Sequence, residues 1–177
     1  MTYTIEQSES VFQGQLFNVR VDQVQYPDGL IHRVDMVMHH GAVALVPIDA
    51  DGGVWFVRQY RHPAGRTLIE IPAGTLELGE KPQDCAIREC REELGLAPDE
   101  IIPLGSVYLA PGYSTEILHI FLARGLQSSP LPPDEDEVLE PVKISWREVQ
   151  NMIQEGEIRD AKTLAGILLA QFHLGRG

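Results

Sequence analysis

The chain has 177 residues, enough for one domain with a sizeable buried core, and its hydrophobic content of 44% and charged content of 23% are ordinary for a globular protein. Its formal net charge is −12, with 26 acidic residues against 14 basic ones, which excludes a nucleic-acid duplex or an anionic membrane as an expected partner. We expect neither a membrane span nor a secretion signal, because no run of about 18 apolar residues occurs and the first residues lack a basic segment followed by an apolar one.

The first 40 residues predict an antiparallel β-hairpin or small sheet. Residues 16–38 alternate between apolar and polar side chains on both sides of the turn signal at residues 26–29. A sheet of two or three strands is marginal alone, so it should pack on the main body or on a second subunit. We therefore interpret residues 1–40 as an N-terminal β extension and dimerisation element, and residues 41–177 as the main domain.

The main domain begins with two short apolar runs, residues 41–48 and 54–60, separated by a turn at residues 49–53. Runs this short and continuous are typical of strands buried on both faces, and we predict that the two form a central antiparallel pair. A third run, residues 68–71, leads into Pro72, Ala73 and Gly74.

The C-terminal half predicts strands at residues 101–109, 115–123 and 138–144, with a proline-rich loop at residues 125–136. Ser145 should cap a helix that runs to about residue 154, and Asp160 a last helix through His173. Four apolar residues of that last helix share one predicted face: Leu164, Ile167, Leu168 and Phe172. Strands in mixed order with three helices imply an α/β/α layering.

A helix at residues 82–94 carries a row of carboxylates. Pro82 suits its first turn and Gly95 suits the residue after its end. Glu89, Glu92 and Glu93 stand at i, i+3 and i+4 and therefore share one sector. Oxygen ligands of this density suit hard cations such as Mg²⁺ or Mn²⁺.

The flanking side chains of this helix also carry predictions. Arg88 stands one turn before Glu92 and should pair with it. The small Cys85 and Ala86 should flank the acidic sector and let a ligand approach. Cys85 and Cys90 stand at i and i+5, so they cannot readily bridge, and they fit no zinc site; a reducing cytoplasm is the expected location.

A solvated acidic face would be the ordinary interpretation of three such glutamates alone. Here they belong to a longer pattern, G-x5-E-x7-R-E-U-x-E-E-x-G-U with U apolar, which this chain matches in register. The matching residues are Gly74, Glu80, Arg88, Glu89, Cys90, Glu92, Glu93, Gly95 and Leu96. With this pattern the chain resembles the Nudix hydrolases, whose signature box it is.

The resemblance implies an α/β fold, the Nudix-type α/β/α sandwich with a mixed central sheet, here with an N-terminal antiparallel hairpin or sheet extension. It implies that divalent cations, Mg²⁺ or Mn²⁺, bind to Glu89 and Glu93, with Glu92 often joining them and the carbonyl of Ala73 completing a shell. Glu80 is expected to hold the loop. The implied reaction is hydrolysis of a phosphoanhydride by water that the cations activate.

Features outside the box resemble the ADP-ribose pyrophosphatase branch. They are the segments at residues 58–61 and 69–74, Gly112 with Glu116 close behind, and the acidic loop at residues 134–137. In that branch a glutamate of the late loop is the general base, which Glu137 matches best and Glu135 second; a solvated acidic loop is the alternative. Glu92 is a further catalytic candidate.

Substrate contacts are expected from the strand arginines. Arg61 is the first candidate, because a guanidinium can stack on a purine or reach a phosphate, and Arg58 is its rival. An exposed strand arginine without a ligand is the alternative for either. Related enzymes form dimers in which the N-terminal sheet of one subunit completes the base pocket of the other, so a homodimer is expected.

The leading functional hypothesis is cation-dependent hydrolysis of ADP-ribose to AMP and ribose 5-phosphate. A second hypothesis keeps the chemistry but changes the substrate to another nucleoside diphosphate sugar such as GDP-mannose. A third, of a different class, is a non-catalytic nucleotide sensor; such proteins usually lose box glutamates, and this chain keeps all of them.

Overall fold

The computed structural model of the chain describes residues 2–132 and 138–175. The chain divides into two compact units. The first unit comprises Met1–Gly41 and Tyr108–Ile117, and the second comprises Ala42–Val107 and Leu118–Gly177. Residues 108–117 thus belong to the first unit, although the sequence predicts them as part of the main domain; the functional division at residue 40 stays a prediction.

The first unit is built on an antiparallel sheet of three strands in the order β1-β2-β3. Their bounds are Thr4–Gln13, Asn18–Gln25 and Ile31–Met38. The predicted hairpin is confirmed as β2 and β3. Gly29 has a φ of +85° in the connecting turn, a conformation that favours glycine. Residues 108–117 join this unit through hydrogen bonds from the Val37 amide to the Tyr113 carbonyl (2.7 Å) and from the Thr115 amide to the Val37 carbonyl (3.0 Å).

The second unit contains a mixed sheet of four strands in the order β7-β4-β9-β8. In chain order the strands are β4 Ala42–Pro47, β7 Ala73–Thr75, β8 Leu96–Tyr108 and β9 Ile117–Ser128. Strand β4 pairs antiparallel with β7 and parallel with β9. Because β9 extends to Ser128, the predicted loop begins later than residue 125.

A second sheet of three strands in the order β10-β5-β6 completes the strands of this unit. They are β5 Gly53–Arg61, β6 Arg66–Glu70 and β10 Leu139–Ser145. A short 3₁₀ helix, His62–Ala64, connects β5 to β6.

The predicted central pair of residues 41–48 and 54–60 is wrong. The two runs form β4 and β5, which belong to different sheets and meet only at one bridge between Ile48 and Val54. The local turn between them is real, since the Asp49 amide donates to the Gly53 carbonyl at 2.9 Å. Beyond the turn, β4 takes distant strands as its neighbours, which the length of its apolar run could not reveal.

The described residues form three α-helices: α1 Pro82–Glu93, α2 Trp146–Gln154 and α3 Ala161–His173. The predicted caps are confirmed, because Ser145 Oγ accepts from the Glu148 amide (3.2 Å) and Asp160 Oδ2 from the Thr163 amide (2.9 Å). Among the described residues, no helix is long and apolar enough to cross a membrane.

Strand β4 divides the interior between α1 and α3. Ala44 and Val46 lie in the core beneath α3, whereas Val43 and Leu45 lie in a second core beneath α1. Side chains alternate across a strand, so each helix covers one face of the sheet. This arrangement confirms the expected α/β/α layering.

The predicted buried face of α3 is partly wrong. Leu168 and Phe172 are 52% and 72% exposed, and the buried residues are Thr163, Gly166, Ile167 and Ala170. A Cβ at Gly166 would lie 2.6 Å from Ile71 Cδ1 and 3.2 Å from Val46 Cγ2. The helix therefore packs on the sheet through its small residues, at a distance that larger side chains would not allow.

Candidate active site

Helix α1 is bounded as its sequence predicts. Lys81 is its N-cap, Pro82 occupies the first turn, and Gly95 follows the C-cap with a φ of +70°. Cys85, Ala86 and Cys90 are fully buried against β4. The expectation that the small Cys85 and Ala86 let a ligand approach the helix surface is therefore wrong, since both anchor the helix to the core.

Both cysteines are buried and free of disulfides, as expected from their spacing. Burial raises the pKa of the Cys90 thiol to about 12 and also raises that of Cys85. The thiols are thus protonated and inert, and they behave as small apolar side chains.

Glu89 lies directly against the backbone of Gly74. A Cβ built at Gly74 would stand 1.9 Å from Glu89 Oε1 and 2.0 Å from its Cδ, so a side chain at this position would displace the Glu89 carboxylate. Glu89 is only 7% exposed. The first glycine of the box therefore makes room for a carboxylate, not for a turn.

Glu93 is held by the backbone of the same strand segment. Its Oε2 accepts from the Ala73 amide at 3.2 Å, and its surface is 5% exposed. The preceding Pro72 carbonyl accepts from the Leu45 amide at 2.9 Å, which fixes this backbone to β4. Two box carboxylates, Glu89 and Glu93, thus converge on Ala73 and Gly74.

Arg88 donates hydrogen bonds to three glutamates of the box. Its Nε and Nη2 each donate to one oxygen of Glu80 at 3.0 Å, and its Nη1 donates to Glu89 Oε1 (2.6 Å) and Glu92 Oε2 (2.8 Å). The predicted pair with Glu92 is confirmed. The hydrogen bonds that Arg88 donates to Glu80, opposed by burial and supported by the charge of Glu89, raise the pKa of Arg88 above its usual range.

Glu80 closes the loop before the helix, as expected. Besides its two bonds with Arg88, its Oε2 accepts from the Glu77 amide at 3.0 Å. The Arg88 guanidinium, more than any other contact, lowers the pKa of the Glu80 carboxyl to about 2. The ionised form of Glu80 is therefore the form that stabilises the fold.

The lowered pKa of Glu80 predicts a specific acid dependence of stability. The contribution of this carboxylate should be complete above its unfolded pKa of about 4.5 and should be lost as pH falls toward about 2. We expect Glu80→Gln to be less stable than the parent at about pH 6.5 and the gap to narrow below about pH 4.5, measured by urea midpoints. A constant gap across this range would contradict the assignment, and the exposed Glu100→Gln serves as the control.

The side chains at this site supply only some of the oxygen ligands that a hard divalent cation needs. Among residues 2–132 and 138–175, no three histidine, cysteine or acidic side chains are grouped so that they could hold a metal ion together. Glu89 and Glu93 supply oxygen donors beside the glycine backbone. Mg²⁺ characteristically binds one or two carboxylates and keeps water or phosphate oxygens as its other ligands, so the oxygen donors present suit such an ion.

Arg58 and Arg61 lie on opposite faces of β5. The register of β5 with β6 is regular from Val57 to Arg61, and residues three apart in a strand point to opposite sides. Arg58 is exposed, and Arg61 forms a two-bond ion pair with Glu70. The two arginines therefore cannot serve one ligand from the same face of this sheet.

Glu70 was not assigned a role from the sequence, although it lies within a segment that resembles the ADP-ribose pyrophosphatases. It is 1% exposed and contacts Arg61 and Lys162. The signal was a single acid in an apolar strand, since a carboxylate in such a run has to be paired when it is buried. Its second partner, Lys162, lies 92 residues away and carried no local signal.

The other predicted site residues remain predictions. Gly112 and Glu116 belong to the first unit, where the Glu116 amide donates to Ser114 Oγ at 3.2 Å. Glu135 and Glu137 lie outside the residues that the structure describes.

Comparison with known proteins agrees with the resemblance of the box. A model of the NUDIX domain matches residues 38–167. The chain is 35% identical to an ADP-ribose pyrophosphatase of Bacillus subtilis, over 92% of this chain and 89% of the relative. It is 39% identical to an ADP-ribose pyrophosphatase of Mycobacterium tuberculosis, over 91% and 79%, respectively.

Two further similarities are to a relative that is named for a different substrate and to a solved structure. The chain is 34% identical to a GDP-mannose pyrophosphatase of Yersinia enterocolitica, over 76% of this chain and 74% of the relative. A crystal structure of an ADP compounds hydrolase superimposes with a TM-score of 0.88 and 23% identity, over 100% of this chain and 97% of that one. The latter similarity supports the fold alone.

Proposed function

Because the chain belongs to the NUDIX family, we propose that it hydrolyses the pyrophosphate bond of ADP-ribose, giving AMP and ribose 5-phosphate. The observation that carries the chemistry is the pair of buried carboxylates, Glu89 and Glu93, held against the backbone of Gly74 and Ala73. The substrate is supported by relatives of 35% and 39% identity that are ADP-ribose pyrophosphatases.

Nudix hydrolases generally use divalent cations, and Mg²⁺, with Mn²⁺ as the other candidate, is the proposed ion here. Glu89, Glu93 and the carbonyl of Ala73 would hold it, and Glu92, which accepts a hydrogen bond from Arg88, would join them only if its side chain moved toward the ion. The chemistry that such an ion supplies is neutralisation of phosphate charge and activation of water. Arg88 holds Glu92 and Glu89 in defined orientations, and Glu80 in turn holds Arg88.

Glu137, with Glu135 as second choice, is the proposed general base, which takes a proton from water as the water attacks phosphorus. On either side of residues 133–137, the chain forms hydrogen bonds with other parts of the second unit. The Leu131 amide donates to the Arg91 carbonyl at 3.1 Å, at the end of α1, and Leu139 pairs with Gln59 of β5. Both of these contacts are made within the second unit, which also carries the box.

Replacing Glu137 and Glu135 in turn should show which of them is the general base. Glu137→Gln is expected to lower kcat about a hundredfold with a much smaller change in substrate affinity, because the amide cannot accept the proton. Glu135→Gln, the matched control in the same segment, is expected to keep kcat near that of the parent. The reverse result in steady-state kinetics would move the base to Glu135, and two active variants would move it into the box.

Arg61 is the proposed contact to the ADP moiety, by stacking on the purine or by reaching a phosphate. Its side chain is 39% exposed, so part of it can meet a ligand. Arg58 is disfavoured as a partner in the same contact, because it lies on the other face of the strand.

A panel assay tests the proposed function directly. We expect ADP-ribose, with Mg²⁺, to be hydrolysed with the highest kcat/KM among nucleoside diphosphate compounds, with AMP and ribose 5-phosphate as the products. A higher kcat/KM for GDP-mannose would favour the second candidate, which the Yersinia enterocolitica relative supports. Binding without any hydrolysis would favour the sensor, against which the complete set of box glutamates argues.

A homodimer and a cytoplasmic location complete the proposal. The first unit exposes large apolar side chains to more than half of their surface, which suits an interface. These residues are Tyr3, Ile5, Val11, Phe12, Leu16, Leu30, Ile31, Tyr108 and Tyr113. A solution mass equal to that of one chain would dispose of the dimer. Two free thiols are compatible with a reducing compartment.

A further inference from the structure

The carboxylate of Glu70, the last residue of β6, is saturated by two cations. Arg61 donates from Nε to Oε1 at 3.0 Å and from Nη2 to Oε2 at 2.8 Å, and the ammonium of Lys162 also contacts Oε2. Burial of the carboxyl acts to raise its pKa, but the hydrogen bonds and charges of Arg61 and Lys162 outweigh burial and lower it. Glu70 is therefore a charged group in the interior, stabilised by its partners.

The position of Glu70 is fixed by the start of α3. Lys162 Nζ also lies 3.0 Å from Oδ2 of Asp160, the N-cap residue of that helix. The next amide along the chain, that of Ile71, donates to Thr163 Oγ1 at 2.9 Å, and Thr163 is fully buried. Glu70 therefore presents its two oxygens from a rigid part of the fold.

The two bonds to Glu70 give the Arg61 guanidinium a defined orientation. It is the last residue of β5, its side chain is 39% exposed, and a free arginine side chain of this kind has many rotamers. Two parallel bonds to a fixed carboxylate determine the plane of the guanidinium. Both bonds lie in that plane, whereas stacking on an aromatic base uses the direction perpendicular to it.

From this geometry we propose that Glu70 is a positioning residue for substrate binding, which orients Arg61 toward the ADP moiety. The inference rests on the proposed function, since it requires that Arg61 contact the substrate. Lys162 has a different role, because it balances the charge of Glu70 and has no contact with Arg61 among the hydrogen bonds of the described residues. Of the two cationic partners of Glu70, Arg61 therefore faces the substrate and Lys162 has a structural role.

The test compares binding and kinetics in matched variants. Glu70→Gln is expected to raise the KM for ADP-ribose, and its Kd measured by calorimetry without divalent cation, about tenfold, while kcat changes less than about threefold. Arg61→Ala should raise both constants at least as much. Glu70→Gln introduced into Arg61→Ala should then change neither further, because the residue that it positions is absent. Lys162→Met should lower the melting temperature but leave KM and Kd unchanged.

Several results would overturn the inference. One is an unchanged KM and Kd in folded Glu70→Gln, and another is an additive effect of the two substitutions. If Glu70→Gln does not fold, Glu70→Asp replaces it, because the shorter side chain keeps the charge but cannot form both bonds with Arg61; unchanged affinity in that variant would have the same meaning. An unaltered protein that neither binds nor hydrolyses ADP-ribose would overturn the proposed function and this inference with it, whereas an active parent with a neutral Glu70 variant would overturn this inference alone.

Discussion

Glu93→Gln should lower kcat for ADP-ribose about a thousandfold or more while the protein stays folded. The carboxylate of Glu93 is 5% exposed and accepts a hydrogen bond from the Ala73 amide, which an amide oxygen can also accept. Glutamine thus keeps the size and this backbone contact but removes the negative charge that would hold a cation. The loss should therefore appear in turnover and not in the melting temperature.

The measurement is steady-state hydrolysis at several Mg²⁺ concentrations, with thermal unfolding in parallel. Glu100→Gln is the matched control, because Glu100 is an exposed glutamate of β8 in the same unit. A Glu93→Gln variant with parental kcat would remove Glu93 from the proposed metal-binding residues. A variant that is inactive because it is unfolded would be recognised by the thermal scan.

Gly74→Ala should lower kcat/KM by a factor of about a hundred or more at little cost in stability. The new Cβ would stand 1.9 Å from Glu89 Oε1, so the Glu89 carboxylate has to move away from Gly74. The atom displaced is the far end of a flexible side chain, which can rotate, and the backbone of Gly74 does not require a positive φ. A carboxylate displaced in this way should affect catalysis far more than folding.

Gly53→Ala provides the control for this substitution. Its Cβ would also meet the end of a flexible side chain, Lys143 Cε at 2.6 Å, but in a turn that contains no residue of the box. We expect the two alanine variants to have similar urea midpoints and only Gly74→Ala to lose activity. Equal activity in both would show that the position of Glu89 against Gly74 is not required.

The features that could be predicted were those determined within a few residues. Pro82 and Gly95 bracket α1, and the Arg88–Glu92 pair follows from a spacing of one helical turn. The caps at Ser145 and Asp160 are equally local. Each of these expectations depends on backbone geometry that the sequence itself specifies.

The features that were missed depend on residues far apart in the chain. Strand β4 was given the wrong neighbour because its parallel partner, β9, begins at Ile117, about seventy residues later. The buried face of α3 was misjudged because a glycine, Gly166, and not the largest apolar residues, sets its distance to the sheet. The ion pairs of Glu70 span 9 and 92 residues, and no periodicity predicts contacts of that kind.

The two cysteines on the buried face of α1 can report local separation of this helix from the sheet. Because Cys85 and Cys90 are fully buried, with pKa values raised by burial, a thiol reagent should modify them only after the helix separates from β4. The labelling rate of the unaltered chain therefore reports how often this helix lifts off the sheet. A nucleotide or cation that binds at the carboxylate face of α1 should slow that labelling, although neither would touch a thiol.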